Sequence, residues 1–183
     1  LKKYGDNDSN LMNHVSHKVP GVEFSTGSLG HGLPFAVGKA LAMKLEKINS
    51  NIYVIIGDGE LAEGSNFEAM LFASHHGLDN LTLIIDHNNL QSLTTVDKTL
   101  KLTPFKEKFE SFGWEHFEVD GHDHDELIKS FALLKGVTNK PKVIVIGAGF
   151  GGAACISYLS KFTKILDLYV FDKNSSIQTG PFS

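Results

Sequence analysis

Asn51-Ile52-Tyr53-Val54-Ile55-Ile56-Gly57-Asp58-Gly59 sets an apolar, β-branched run directly against a glycine-flanked aspartate. A second such run, Leu81 to Asp86, ends in His87-Asn88-Asn89-Leu90, with Asn88 thirty positions after Asp58. A third run spans Lys142 to Ile146. Short, almost unbroken apolar stretches bounded by polar residues or glycine are the pattern of strands buried on both faces of a parallel sheet. Helical spacing fills the intervals: Leu33, Val37, Leu41 and Leu45 before the first run, and Phe67, Met70, Leu71 and Ser74 between the first two, within a helix from Glu63 to His76. Thr103 and Pro104 read as a cap and first-turn proline for a helix carrying Phe105, Phe109 and Phe112, and a further helix is expected from about Asp123 to Lys135. The alternation predicts an α/β fold, a mostly parallel sheet with helices on both faces.

The 183 residues are 42% hydrophobic and 21% charged, the composition of a soluble globular protein. With 17 basic against 21 acidic residues there is no cationic excess for a nucleic acid or an acidic membrane, so neither is expected as a partner. No apolar stretch approaches the roughly 20 residues that cross a bilayer. Cys155 is the lone cysteine and forms no internal disulfide, and the N-terminus has no basic-then-apolar segment, which favours a reducing, cytoplasmic setting. The chain opens at Leu1 without methionine, so a fragment or processed chain is expected.

Two parallel strands joined by a crossover helix would deliver Asp58 and Asn88 to the same carboxyl edge of the sheet, where α/β proteins bind ligands. A carboxylate, an amide oxygen and the backbone carbonyl of Leu90 are hard donors suited to Mg2+, which completes its shell with phosphate oxygens and water. Gly57 and Gly59, lacking Cβ, let backbone approach a bulky anion. Asp-Gly and Asn-Asn are also ordinary turn chemistry after strands, and that alternative stays open for each pair taken alone.

Gly57-Asp58-Gly59 followed by Asn88-Asn89-Leu90 resembles the thiamine diphosphate signature, and Pro20-Gly21-Val22-Glu23-Phe24-Ser25-Thr26-Gly27-Ser28-Leu29-Gly30-His31-Gly32-Leu33 is similar to its transketolase version. Gly64 to Leu78, Leu102-Thr103-Pro104-Phe105, Gly113-Trp114 and Val119-Asp120-Gly121-His122-Asp123 extend the likeness to the N-terminal subunit of split transketolases, over about Leu11 to Val145. The resemblance implies Asp58, Asn88 and the Leu90 carbonyl as Mg2+ ligands, Gly57 and Gly59 beside the diphosphate, and Gly27 and Leu29 near the aminopyrimidine end. It implies that His14 contacts the donor sugar, and that Glu63 and Glu68 are acids buried at a subunit interface. It further implies transfer of a two-carbon ketol unit between sugar phosphates, a separate pyrimidine-binding chain that supplies the activating glutamate, and a dimer or heterotetramer.

Other readings accompany these residues. His14 is also an ordinary solvated loop histidine, and Glu63 and Glu68 also suit the positive end of a helix dipole. His75-His76 read as a polar helix end with Gly77 as its cap. The run Asp120 to Glu126 alternates His with acids, but first-turn acids and an Asp cap explain it better than a metal site.

Gly147-Ala148-Gly149-Phe150-Gly151-Gly152 follows a strand, opens an expected helix from about Gly151 to Lys161, and precedes a strand Leu168 to Phe171 and Asp172. Gly147, Gly149, Gly152 and Asp172 thus match a dinucleotide fingerprint, and Val143 to Ser183 resembles the start of an FAD-dependent, sulfide dehydrogenase-like flavoprotein. The expected organisation is an N-terminally truncated transketolase-like domain over 1–141 and a partial Rossmann βαβ unit over 142–183, joined by a fusion or assembly chimera. FAD is expected only if that last piece were complete. The functional alternatives are an FAD oxidoreductase fragment and a thiamine diphosphate-binding subunit without turnover.

Overall fold

The computed structural model describes residues 4–12, 14–20, 22–91, 94–147 and 167–170, the last four through their backbone. Strands β1 (Ile52–Gly57), β2 (Leu81–His87), β3 (Glu115–Asp120), β4 (Lys142–Gly147) and β5 (Asp167–Val170) form one sheet in the order β3-β4-β2-β1-β5. Every adjacent pair is parallel. The expected α/β class with a parallel sheet is therefore present.

Because side chains alternate across a strand, each apolar run feeds two cores. Ile52, Val54, Ile56, Leu81, Leu83, Ile85, Val143 and Val145 face one side, which is covered by α1 (Gly32–Leu45), α3 (Gly64–His75) and α5 (Phe105–Ser111). Ile55, Ile84, Val119, Ile144 and Ile146 face the other, under Leu127, Phe131 and Leu134 of α6 (His124–Leu134). Each such fully buried side chain stabilises the fold by about 1.5–3 kcal/mol. Two single-turn helices lie among the described residues as well: α2 (Asp58–Leu61), directly after β1, and α4 (Val96–Thr99).

Several local expectations shift. The buried stripe of α3 is Asn66, Ala69, Met70 and Ala73, whereas Leu71 is 58% exposed. Ala69 and Ala73 join Met70 and, from α1, Ala36 and Ala40 in one core cluster, with Phe67 packed against it, while Leu71 and Phe72 turn outward. Pro104 is itself the cap of α5, with extended backbone after a cis Thr103-Pro104 bond, and the helix begins at Phe105 rather than at the proline. Asp123 caps α6 as expected, its Oδ1 accepting from the Asp125 and Glu126 amides at 3.0 and 2.9 Å. Gly77 adopts φ +54 beyond α3. β4 lies between β3 and β2, and β5 pairs with β1 rather than with β4. The sheet thus does not place β4 and β5 side by side as a dinucleotide-binding βαβ unit would. Among the described residues no helix is long and apolar enough to cross a membrane.

β3 was not anticipated. Its His116 lies on the α5 side, stacked on Phe109 with ring centroids 6.0 Å apart, and its Nε2 is buried without a hydrogen-bond partner among the described residues. Burial pushes this imidazole below its ordinary value, outweighing the upward pull of Glu118 and Glu110. Above about pH 6.5 the group is neutral in folded and unfolded chains alike. As pH falls beneath that value the unfolded chain takes up the proton first, so stability drops. Urea unfolding across this interval is expected to show that loss, and His116→Phe to flatten it.

Candidate functional site

Register brings the two strand tips together. Gly57 at the end of β1 pairs with Asp86 near the end of β2, so Asp58 and the segment His87-Asn88-Asn89-Leu90 leave the sheet at the same carboxyl edge. Asp58 opens α2 and is 2% exposed. Its Oδ2 accepts a hydrogen bond from the Asn89 amide at 3.1 Å, and His87 Nδ1 lies 3.3 Å from the same oxygen. Among the described residues Asp58 pairs with no lysine. A buried carboxylate lacking a full counter-charge is costly to maintain, which suits it to a cationic ligand.

The segment beyond β2 is folded back on itself. Asn88 Oδ1 accepts from Leu90 N–H at 2.9 Å, Leu90 bridges Thr95, and Val96 N–H donates to Asn89 O at 3.1 Å. Asn89 sits at φ +61, a left-handed conformation that asparagine tolerates. A Cβ at Gly59 would touch Gln91 Cγ at 3.5 Å, while one at Gly57 would meet nothing within 4 Å.

A second cluster is joined to the first through Glu60. This residue of α2 is 5% exposed, and its Oε1 accepts from Gly30 N–H at 3.0 Å. Ser65 Oγ donates to Gly30 O at 2.7 Å, so the loop before α1 is held from both sides. The segment leading to Gly30 doubles back: Thr26 N–H donates to Val15 O at 3.3 Å, His17 Nδ1 lies 2.5 Å from Ser25 Oγ, and Phe24 stacks on Phe35 with centroids 3.9 Å apart. His14 packs on Gly27 so tightly that a Cβ there would lie 2.9 Å from its Cγ. His14 is exposed and Leu29 half-buried.

The structure therefore groups Gly57, Asp58, Gly59, Asn88 and Leu90 at one sheet edge, and His14 with Gly27 on the adjoining strap. Glu63 and Glu68 are both exposed in the single chain, Glu68 on a face of α3 with Leu71, Phe72 and His75. Gly147 ends β4, its carbonyl accepting from Gly121 N–H at 3.0 Å. Gly149, Gly152 and Asp172 lie outside the described residues, and the flavin reading gains no support from the sheet. Glu60, Ser65 and His87 were missed from sequence. The available signal was position: an acid in the first turn after a strand, and a histidine between an apolar strand and Asn88.

A parallel α/β sheet with a buried carboxylate and a folded loop at its carboxyl edge has the architecture of domains that hold ligands at that edge. Residues 1–158 match the family described as transketolase, thiamine diphosphate binding domain, and the chain belongs to it. The match runs across the glycine-rich stretch that resembled a flavoprotein. One subunit of the apulose-4-phosphate transketolase of Actinobacillus succinogenes is 43% identical over 160 residues, covering 87% of this chain and 57% of that subunit. The corresponding subunit from Phocaeicola vulgatus is 36% identical over 160 residues, with 87% and 56% covered. The chain thus spans little more than half the length of these relatives. The crystal structure of transketolase from Campylobacter jejuni superposes with a TM-score of 0.74 at 35% identity, covering 80% of this chain and 24% of that one.

Gly30 offers a test of the strap. It adopts φ +79, and a Cβ there would lie 2.4 Å from Ser65 Oγ and 2.7 Å from Glu63 Cβ. Gly30→Ala is expected to cost about 1–3 kcal/mol in urea unfolding. Gly38→Ala, on an exposed position of α1 with open space around it, is expected to stabilise by about 0.5–1 kcal/mol.

Proposed function

We propose that this chain binds the diphosphate of thiamine diphosphate through Mg2+ and forms that half of a transketolase-type enzyme, which transfers a two-carbon ketol unit between sugar phosphates. The observation that carries the reading is Asp58: a buried carboxylate at the tip of β1, tied to the Asn89 amide and, among the described residues, paired with no lysine. Asp58, the Asn88 amide oxygen and the Leu90 carbonyl are the proposed ligands, a hard oxygen set of the kind Mg2+ prefers. Open space in front of Gly57 supports an anionic group lying against bare backbone there.

When bound, thiamine diphosphate supplies the carbon nucleophile and the electron sink for cleaving a bond beside a ketone. The chain's own residues hold and orient. Asp58, tied to the Asn89 amide at the β2 tip, would hold the cation in place; Gly27 and Leu29 would border the aminopyrimidine end; and His14, packed on Gly27, would contact the hydroxyl groups of the donor sugar. Fixing these partners in advance converts an encounter into an oriented reaction.

A separate pyrimidine-binding chain completes the site in this reading. The names of the two bacterial relatives, each one subunit of a transketolase, support it. So does the exposed face of α3, where Glu68 stands among Leu71 and Phe72, at 58% and 43% exposure. Covering such a face would bury apolar surface, which favours association. Glu63 and Glu68 would then lie at the junction of the two chains.

Isothermal titration calorimetry tests the core of this reading. Thiamine diphosphate is expected to bind only with Mg2+ present, and Asp58→Ala to abolish the metal-dependent component while the fold is retained. Heat independent of Mg2+, or unchanged in the variant, would sink the site. Ketol transfer is then expected only after a pyrimidine-domain chain is added; full assembly without turnover would leave a purely binding role.

A further inference from the structure

His87 is the last residue of β2, between the buried strand and Asn88. Its side chain is 13% exposed, and its Nδ1 is buried with no hydrogen-bond partner in aligned geometry among the described residues. That nitrogen nonetheless lies 3.3 Å from Asp58 Oδ2. Its ring and that of Phe105 stand nearly perpendicular, with 4.8 Å between centroids and 81° between planes. Phe105 is 5% exposed at the start of α5, so the imidazole stands between the apolar core and the carboxylate.

Two facts bear on what the ring does. First, Asp58 Oδ2 already accepts the Asn89 amide at 3.1 Å, so a second donor from His87 would commit this oxygen to the protein. Second, a carboxylate is planar, so holding one oxygen in place also sets the direction of the other. A ligand oriented this way loses less freedom when a cation arrives, which is why the partners of metal ligands matter nearly as much as the ligands.

We propose that His87 is a positioning residue for Asp58: its Nδ1–H, together with the Asn89 amide, holds Oδ2 and leaves Oδ1 as the oxygen offered to the divalent cation. The inference rests on the metal-binding reading of Asp58 given above. It assigns His87 no contact with cation, cofactor or sugar.

A packing role against Phe105 is the rival explanation, and two substitutions separate them. His87→Phe keeps an aromatic ring on Phe105 and removes the donor. His87→Asn loses the ring but keeps an N–H donor near the place of Nδ1. Mg2+ is titrated into the 183-residue chain at saturating thiamine diphosphate, with the melting temperature of each variant recorded alongside. His87→Phe is expected to weaken Mg2+ by about 10–100-fold with little change in melting temperature. His87→Asn is expected to recover most of that affinity although it melts lower. If His87→Phe binds Mg2+ as tightly as the parent, the positioning role is overturned while the site itself stands. If the parent shows no Mg2+-dependent binding, both are overturned. Nitrogen-15 NMR of the imidazoles decides the matter even if a variant fails to fold: a proton is expected on Nδ1 of His87, and an Nδ1 without one overturns the proposal.

Discussion

The hydrogen bond from the Asn89 amide to Asp58 Oδ2 joins the ends of β1 and β2, and the rest of the site hangs from it. It is possible only because the two strands run parallel in a register that sets Gly57 opposite Asp86. That register is enforced by the core: slipping one residue would turn Leu83 and Ile85 to the α6 face and Ile84 to the other. Strand burial thus fixes the position of a carboxylate that contributes nothing to the core itself. From Asp58 one turn of helix leads to Glu60, and from Glu60 a hydrogen bond leads to Gly30, so the strap before α1 takes its place from the same anchor.

How much of this could be read from the residues depends on how local the cause was. β1, β2 and β4 were legible because a strand buried on both faces must be apolar at nearly every position, and Ile52–Ile56, Leu81–Ile85 and Val143–Ile146 are. β3 was not, because Glu115-His116-Phe117-Glu118-Val119-Asp120 alternates and, at the edge of the described sheet beside β4, only Val119 is fully buried. The orientation of α3 was hidden for a different reason. Of the expected face, Phe67 and Met70 do meet the core while Leu71 does not, and Ala69 and Ala73 take the remaining buried places beside α1, a helix that no local pattern pairs with α3. The place of β5 beside β1 likewise follows from pairing that no local pattern encodes.

The site divides in the same way. Asp58 and Asn88 announce themselves because each follows an apolar strand, and strand ends are where a parallel sheet must expose polar groups. Glu60 and His87 do not, although both are more deeply engaged than His14. An acid in the first turn of a helix has an ordinary explanation in the dipole, and a histidine before two asparagines looks like loop composition. Only the fold shows that Glu60 reaches across to Gly30, thirty positions away, and that His87 faces Asp58.

The energetics of α3 argue for a further level of organisation. A domain whose core already buries Met70, Ala69 and Ala73 gains nothing from placing Leu71 and Phe72 in water, each an apolar side chain of large area. Single exposed apolar residues are ordinary, but these two stand beside Glu68 on the helix whose first turn holds the strap that carries His14 and Gly27. Glu63, at the junction of α2 and α3, packs its stem against Gly30 while its carboxylate remains accessible. Gly30 is therefore held at once by Glu60 of α2 and by Ser65 of α3. Glu68, Leu71 and Phe72 therefore share a helix with Ser65, whose hydroxyl holds the Gly30 carbonyl, so the exposed face and the strap are two sides of one rigid element.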